Sequence, residues 1–236
     1  MALPLYLAMT AAELSRTAQL PDKTAYMACH FSPYSTGLSG FPDTLAPGSM
    51  LILNDCTPVH GHDPQLIADQ LQQAALDLQC DSVLLDFQRP DNPETAEITA
   101  AILKALSCPV GVSEYYAKAL ACPVFLPPPP LDSPPQAYFT QWAGREIWLE
   151  AALDSACITL TEQGCAYTPL FPPETPEPFH CDIRLFCRYH IELTDTAARF
   201  TLYRTKAELS SLLEEAARLG VTRAIGLYQE LHCLSE

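Results

Sequence analysis

Short apolar runs rich in β-formers recur through the first half of the chain: "PLYLAM", "TAYMACHF", "SMLILND", "SVLLDF", "CPVGVS" and "CPVFLP". Each is followed by loop residues or by a helical pattern. The helices are plainest after the third and fourth runs. In "DPQLIADQLQQAALDLQ", Leu66, Ile67, Leu71, Ala74, Ala75 and Leu78 recur at helical spacing, with Asp63 as N-cap and Pro64 in the first turn. Asn92 and Pro93 repeat the device before "ETAEITAAILKAL". Strand, loop, helix, strand in this rhythm indicates βα units around a parallel sheet.

The rhythm breaks between about residues 127 and 198. After "PPPP" at 127–130 comes "REIWLEAALDSACITLTEQGCAYTPL", with a turn at Glu162, Gln163 and Gly164, and then a proline-rich loop to Pro178. This reads as an antiparallel insertion that contains Trp142 and Trp148. "RFTLYRT", the helix "KAELSSLLEEAARLG" and "TRAIGLYQEL" resume the pattern, giving six parallel-type strands before the insertion and two after it. Eight strands close most economically into a (β/α)8 TIM-type barrel, because closure removes both sheet edges. The expectation is therefore one barrel domain over residues 1–236, with a β-rich insertion between strands six and seven. The rival is a doubly wound open sheet. No glycine-rich phosphate cradle follows any strand, and no cofactor is expected.

A chain of 236 residues with 48% hydrophobic content is long enough for one large core. The formal charge of −15, from 28 acidic against 13 basic side chains, sets a mean field that repels phosphate backbones and anionic headgroups. Nucleic acid and membrane surfaces are poor partners for it. "MALPLYLAMTAAELSR" has no basic residue before its apolar stretch, which is too short to span a bilayer. The ten cysteines show no C-x-x-C spacing and mostly sit in apolar runs, as reduced core thiols of a cytoplasmic protein would.

In a barrel, function gathers at the carboxyl ends of the strands. Those ends carry His30, Ser32 and Tyr34; Asn54, Asp55, His60, His62 and Asp63; Asp86, Gln88 and Arg89; Glu114 and Tyr115; Tyr203 and Arg204; and Tyr228, Gln229 and Glu230. The fourth strand is the most specific. Alternation puts Leu84, Asp86 and Gln88 on one face and Val83, Leu85 and Phe87 on the other. The uniformly apolar second set belongs under helices, so Asp86 and Gln88 point inward near the mouth.

"DSVLLDFQ" resembles the chitinase-type strand of the family-eighteen glycoside hydrolases, D-x-x-D-x-D-x-E. Asp81 matches the first Asp and Asp86 the third, while Leu84 stands for the second and Gln88 for the glutamate. An insertion before the seventh strand and Tyr228 in the last are similar to that family in position. The resemblance implies a substrate-assisted mechanism in which an N-acetylated sugar attacks its own anomeric carbon with its acetamide oxygen. Asp86 would orient that acetamide and Gln88 would occupy the acid's place. A carboxamide has no proton to give at neutral pH, so hydrolysis is impaired while binding of a carbohydrate or related small polar ligand survives.

The residues leave other readings open. Glu114 and Glu230 are candidate relocated acids for an active glycoside hydrolase. His60 and His62, with Asp55 or Asp63, offer imidazole and carboxylate groups for a metal-dependent hydrolase, although no metal is expected. Cys56, beside Asp55, reads as a buried thiol rather than a nucleophile, because no nearby base is assured. The expected catalytic set is Asp86, Gln88, Glu114 and Glu230. The expected ligand-binding set is His30, Tyr34, Asn54, Asp55, Tyr115, Tyr203, Tyr228 and Gln229, with tyrosines stacking on a small-molecule or oligosaccharide ligand.

Overall fold

The structure, a computed structural model, describes residues 3–171 and 173–234. Strands β1 (Leu5–Met9) and β2 (Thr24–Phe31) flank the short helix α1 (Ala11–Arg16), and β2 turns back into the antiparallel β3 (Leu38–Ser39). β4 (Met50–Asn54), α2 (Pro64–Asp77), β5 (Ser82–Asp86) and α3 (Pro93–Ala105) follow as regular units. β6 (Val110–Ser113), α4 (Glu114–Ala117), β7 (Val124–Leu126), α5 (Pro135–Thr140) and β8 (Ile147–Ala151) continue the alternation with shorter helices. A second sheet comprises β9 (Ser155–Thr161), β10 (Gly164–Pro169), β11 (His180–Asp182), β12 (Cys187–Leu193) and β13 (Ala197–Tyr203). The chain then forms α6 (Lys206–Arg218), β14 (Val221–Leu227) and α7 (Tyr228–Leu231).

Strands pair in the order β1-β14-β8-β7-β6-β5-β4-β2, all in parallel, and a β1–β2 ladder closes the ring. The (β/α)8 barrel expected from the strand rhythm is therefore the fold, and the open doubly wound sheet is excluded. The position of the insertion is corrected. "REIWLEA" supplies β8, which pairs in parallel with β7 and β14 and is the seventh barrel strand. "RFTLYRT" instead belongs to β13, antiparallel between β9 and β12. The five-stranded sheet thus interrupts the crossover between strands seven and eight. Both segments read as β in isolation. The six-residue α5, opened by proline, was too short to announce that residues 127–151 form one more helix-and-strand unit.

Capping follows the sequence closely. Asp63 Oδ1 accepts from the backbone N–H groups of Gln65 and Leu66, and Asn92 Oδ1 does the same for Glu94 and Thr95. Ile67, Leu71, Ile98 and Ile102 bury the inner faces of α2 and α3 against Val83, Leu85 and Phe87. A separate cluster fills the barrel: Tyr6, Ala8, Ile52, Leu84, Phe125, Trp148 and Ile225 are among its members. Leu84 lies inside and its neighbours outside, as alternation required. Among the described residues no helix is long and apolar enough to cross a membrane.

The base of the barrel is closed by charge as well as by bulk. Asp81 accepts from Tyr6 Oη at 2.8 Å, Ser82 Oγ at 2.6 Å, Lys23 Nζ at 3.1 Å and Arg223 at 3.2 Å. The Arg223 guanidinium lies 4.7 Å from the Trp148 ring, and the indole N–H donates to Glu146. Trp148 fits only because β6 carries Gly111. A Cβ there would stand 2.2 Å from Trp148 Cε3. Gly111→Ala is expected to destabilise the fold by about 1–3 kcal/mol, the usual range for overpacking. Urea unfolding monitored by tryptophan fluorescence checks this, and Trp148→Phe combined with Gly111→Ala should recover part of the loss.

Candidate functional site

β4 and β5 run side by side in register, Asn54 beside Asp86, so their ends deliver neighbouring polar groups to the mouth. Asp55, only 3% exposed, accepts from the backbone N–H groups of Gln88 and Arg89, both at 3.0 Å. This carboxylate staples the end of β4 to the β5–α3 loop. The Arg89 side chain returns to the Cys56 carbonyl at 3.2 Å, and Tyr116 donates its hydroxyl to the Arg89 carbonyl. Ser113 holds the Phe87 carbonyl from the next strand at 2.7 Å. The loop that carries Gln88 is thereby fixed from both sides.

The Gln88 carboxamide donates to Asp86 Oδ1. Burial pushes the Asp86 carboxyl above its ordinary range, the Gln88 bond works against that, and the Asp55 charge adds to it. Both side chains line a cavity of about 460 Å³ over the barrel, whose floor includes Ala8, Ile52, Leu84, Phe125 and Ile225. Asn54, Asp55 and Arg89 complete its polar wall. An apolar floor with a few convergent polar groups is the usual character of a small-molecule site.

Glu150, from the inner face of β8, lines the same cavity. It also lines a side pocket of about 80 Å³ with Gln88, Glu114 and Tyr115. Burial, and then the charges of Asp86, Asp154 and Glu230, push the Glu150 carboxyl up to about 7. Asp154 is raised by burial, opposed by Arg204 at 3.4 Å and raised further by Glu230. A second cavity, of about 470 Å³, lies between Pro128–Pro130 and Tyr167, with Asp154 and Ser155 in its wall.

Of the residues singled out in the sequence, Asn54, Asp55, Asp86 and Gln88 come together in the main cavity, and Glu114 and Tyr115 reach the side pocket. Asn54 and Asp55 are largely occupied by the backbone, Asn54 Nδ2 donating to the Met27 carbonyl at 3.0 Å. Arg89 lines the main cavity as well, as does Cys56, which is exposed rather than buried; His30, Tyr34, Tyr203, Tyr228, Gln229 and Glu230 line neither space. His30 turns Nδ1 onto the Ala28 carbonyl of its own strand, and Tyr34 is 96% exposed on the β2–β3 turn. Tyr203 lies in β13 and donates to the Pro176 carbonyl. Tyr228 packs against His232, and Gln229 faces Glu13. Glu230 accepts from the Leu153 backbone N–H at 3.4 Å, bracing the end of β8 rather than lining the cavity. His60 pairs with Glu94, and among the described residues no group of three His, Cys, Asp or Glu could hold a metal ion. Of Tyr34, Tyr115, Tyr203 and Tyr228, Tyr115 alone lines the side pocket, together with Phe125.

Glu150 is hidden in the sequence because "REIWLEA" reads as part of the insertion. The available signal was alternation: Ile147, Leu149 and Ala151 point outward, leaving Trp148 and Glu150 to point in.

In fold, the barrel resembles the chitinase-like family-eighteen glycoside hydrolases. A mutant GH18 chitinase from Cycas revoluta, in complex with (GlcNAc)4, superposes with a TM-score of 0.59 at 9% identity, over 95% of this chain and 94% of that one. The C-terminal domain of a putative chitinase from Desulfitobacterium hafniense DCB-2 gives 0.56 at 8% identity, over 100% and 98%. The spore cortex-lytic enzyme SleL of Bacillus megaterium QM B1551 gives 0.58 at 10% identity, over 96% and 70%. No family model matches the chain, and no curated protein matches it in sequence. At such identities the likeness is one of architecture.

The Glu150 shift carries a stability consequence. The folded chain keeps the proton to about pH 7, whereas the unfolded chain gives it up near the ordinary 4.5. Between those values the folded state binds more protons, so this group's contribution to stability falls as pH rises from about 4.5 to 7. Glu150→Gln should raise the melting temperature relative to wild type at pH 8 and change it little at pH 4, measured by calorimetry at both pH values.

Proposed function

We propose that the protein binds a carbohydrate, an N-acetylated amino sugar or short oligosaccharide of it, at the mouth of the barrel. The observation that carries this reading is the Asp86 carboxylate, turned inward above an apolar floor and hydrogen-bonded by the Gln88 carboxamide. A pyranose buries its C–H faces against apolar side chains and satisfies its polar edge at a few fixed groups, the division of labour that this cavity offers. Asp86 accepts from the acetamide N–H of the sugar. Gln88 gives Asp86 the hydrogen bond that a protonated glutamic acid in its place would give, yet it has no acidic proton to pass on. The site is therefore arranged to hold such a sugar without an acid at position 88.

The acidic surface, with a net charge of −15, suits a neutral ligand better than a polyanion. The nine described cysteines are all free, in keeping with a reducing, cytoplasmic setting. There the ligand is a small imported oligosaccharide or a wall fragment rather than a polymer.

Titration calorimetry with N-acetylglucosamine oligomers, and with the matching non-acetylated glucosamine oligomers, tests the reading. Wild type should bind the acetylated series and discriminate against the other. Asp86→Ala should weaken binding about tenfold or more, since a hydrogen bond to a charged group contributes roughly 1.5–3 kcal/mol. Equal affinity for both series, or full affinity in Asp86→Ala, would sink the proposal.

A further inference from the structure

We infer that Glu150 is the proton donor of a glycoside-hydrolysing activity at this mouth, standing in for the acid that Gln88 cannot be. The inference rests on the sugar binding proposed above. Its basis is placement. Glu150 lines both the main cavity and the side pocket, and Gln88 and Phe125 are shared by the same two spaces. A sugar held at Asp86 in the main cavity, with its glycosidic bond directed toward the side pocket, presents the bridging oxygen at the junction that Glu150 occupies. The strand-end carboxylates do not reach that junction on both sides: Glu114 faces only the side pocket, and Glu230 is engaged by the Leu153 backbone.

The surroundings of Glu150 keep a proton available there. It faces Asp86 from β5, Asp154 beyond the end of its own strand and Glu230 from α7, all acidic, and it acts in turn on Tyr138 of α5. The rearrangement is balanced within the site and water. Glu150 passes its proton to the bridging oxygen as the bond from that oxygen to the anomeric carbon breaks, the electron pair leaving with the oxygen. The Asp86 carboxylate lies beside the positive charge left on the sugar. Water adds to the anomeric carbon, and the proton it loses restores the Glu150 acid. One water is consumed for each bond cut, and no oxidant, reductant or metal is needed.

The test measures hydrolysis of chitotetraose by wild type and Glu150→Gln, alongside two aryl glycosides of N-acetylglucosamine, one releasing dinitrophenol and one releasing phenol. A weakly basic leaving group departs without a proton and a strongly basic one does not. The expected result is that Glu150→Gln slows chitotetraose and the phenyl glycoside by on the order of 10² to 10⁴ and the dinitrophenyl glycoside far less. In wild type, kcat/KM should fall as pH rises through about 7, and that limb should vanish in Glu150→Gln. Should Glu150→Gln fail to fold, Glu150→Asp should retain part of the phenyl glycoside activity, and its complete loss there would count against the assignment. Wild type that binds chitotetraose without cleaving it overturns the inference and leaves the binding proposal standing. Glu150→Gln that cleaves as wild type does, or that loses all three substrates equally, also overturns it. Wild type that binds no sugar removes both.

Discussion

Closure of the sheet between β1 and β2 is the constraint on which everything else in this molecule depends. Once the ring is closed, alternate residues of every strand must share one interior of fixed cross-section, and each level is filled or left open by what those strands supply. Trp148 occupies the lower level, and Gly111 yields the space it needs. Ala8, Ile52, Leu84, Phe125 and Ile225 form the floor above it. Above that floor the inward positions become Asn54, Asp86 and Glu150, too few and too polar to pack. The cavity is the level at which this barrel stops being filled.

Acidic groups at the two ends meet opposite fates. At the base, burial alone would raise Asp81, but bonds from Ser82, Tyr6 and Lys23 and the Arg223 charge hold its carboxyl below the ordinary range. At the mouth, Asp86 and Glu150 are half-buried, Arg89 turns to the Cys56 carbonyl, and no ion pair to either carboxyl is found among the described residues; both are raised. The buried cation nearby, Arg204, pairs with Asp154 instead. The base is thus a satisfied structural network, whereas the mouth holds carboxyls that no ion pair among the described residues offsets, at a cost in stability.

The barrel was legible because its signal is repeated: each βα unit restates the same period, and Asp63-Pro64 and Asn92-Pro93 mark where helices begin. The face of β5 was legible for the same reason, since Val83, Leu85 and Phe87 can only belong under helices. The seventh strand was not, because "REIWLEA" and "RFTLYRT" are equally good strands, and only long-range pairing with β7 and β14 decides between them. That one ambiguity displaced Trp148 from the barrel core and Glu150 from the site. The tyrosines misled for a different reason. Proximity to a strand end along the chain fixes neither the direction of a side chain nor, for Tyr203, which sheet the strand joins.

Leu84 and Gln88 acquire a common explanation once Glu150 is placed. Asp86 already shares the mouth with Asp55 and Glu150, and like charges gathered in a poorly solvated space each raise the cost of ionising the next. A second aspartate at position 84 and a glutamate at 88 would add two more carboxyls to a space whose one lining cation, Arg89 among the described residues, is turned onto the Cys56 carbonyl. Leucine turns the first into floor. Glutamine turns the second into a neutral donor that keeps Asp86 in place. Under the proposal that Glu150 supplies the acid, the two departures from the chitinase-like strand and the carboxyl on β8 fit together: a mouth that carries its acid on the seventh strand is most stable when the fourth strand carries none beyond Asp86.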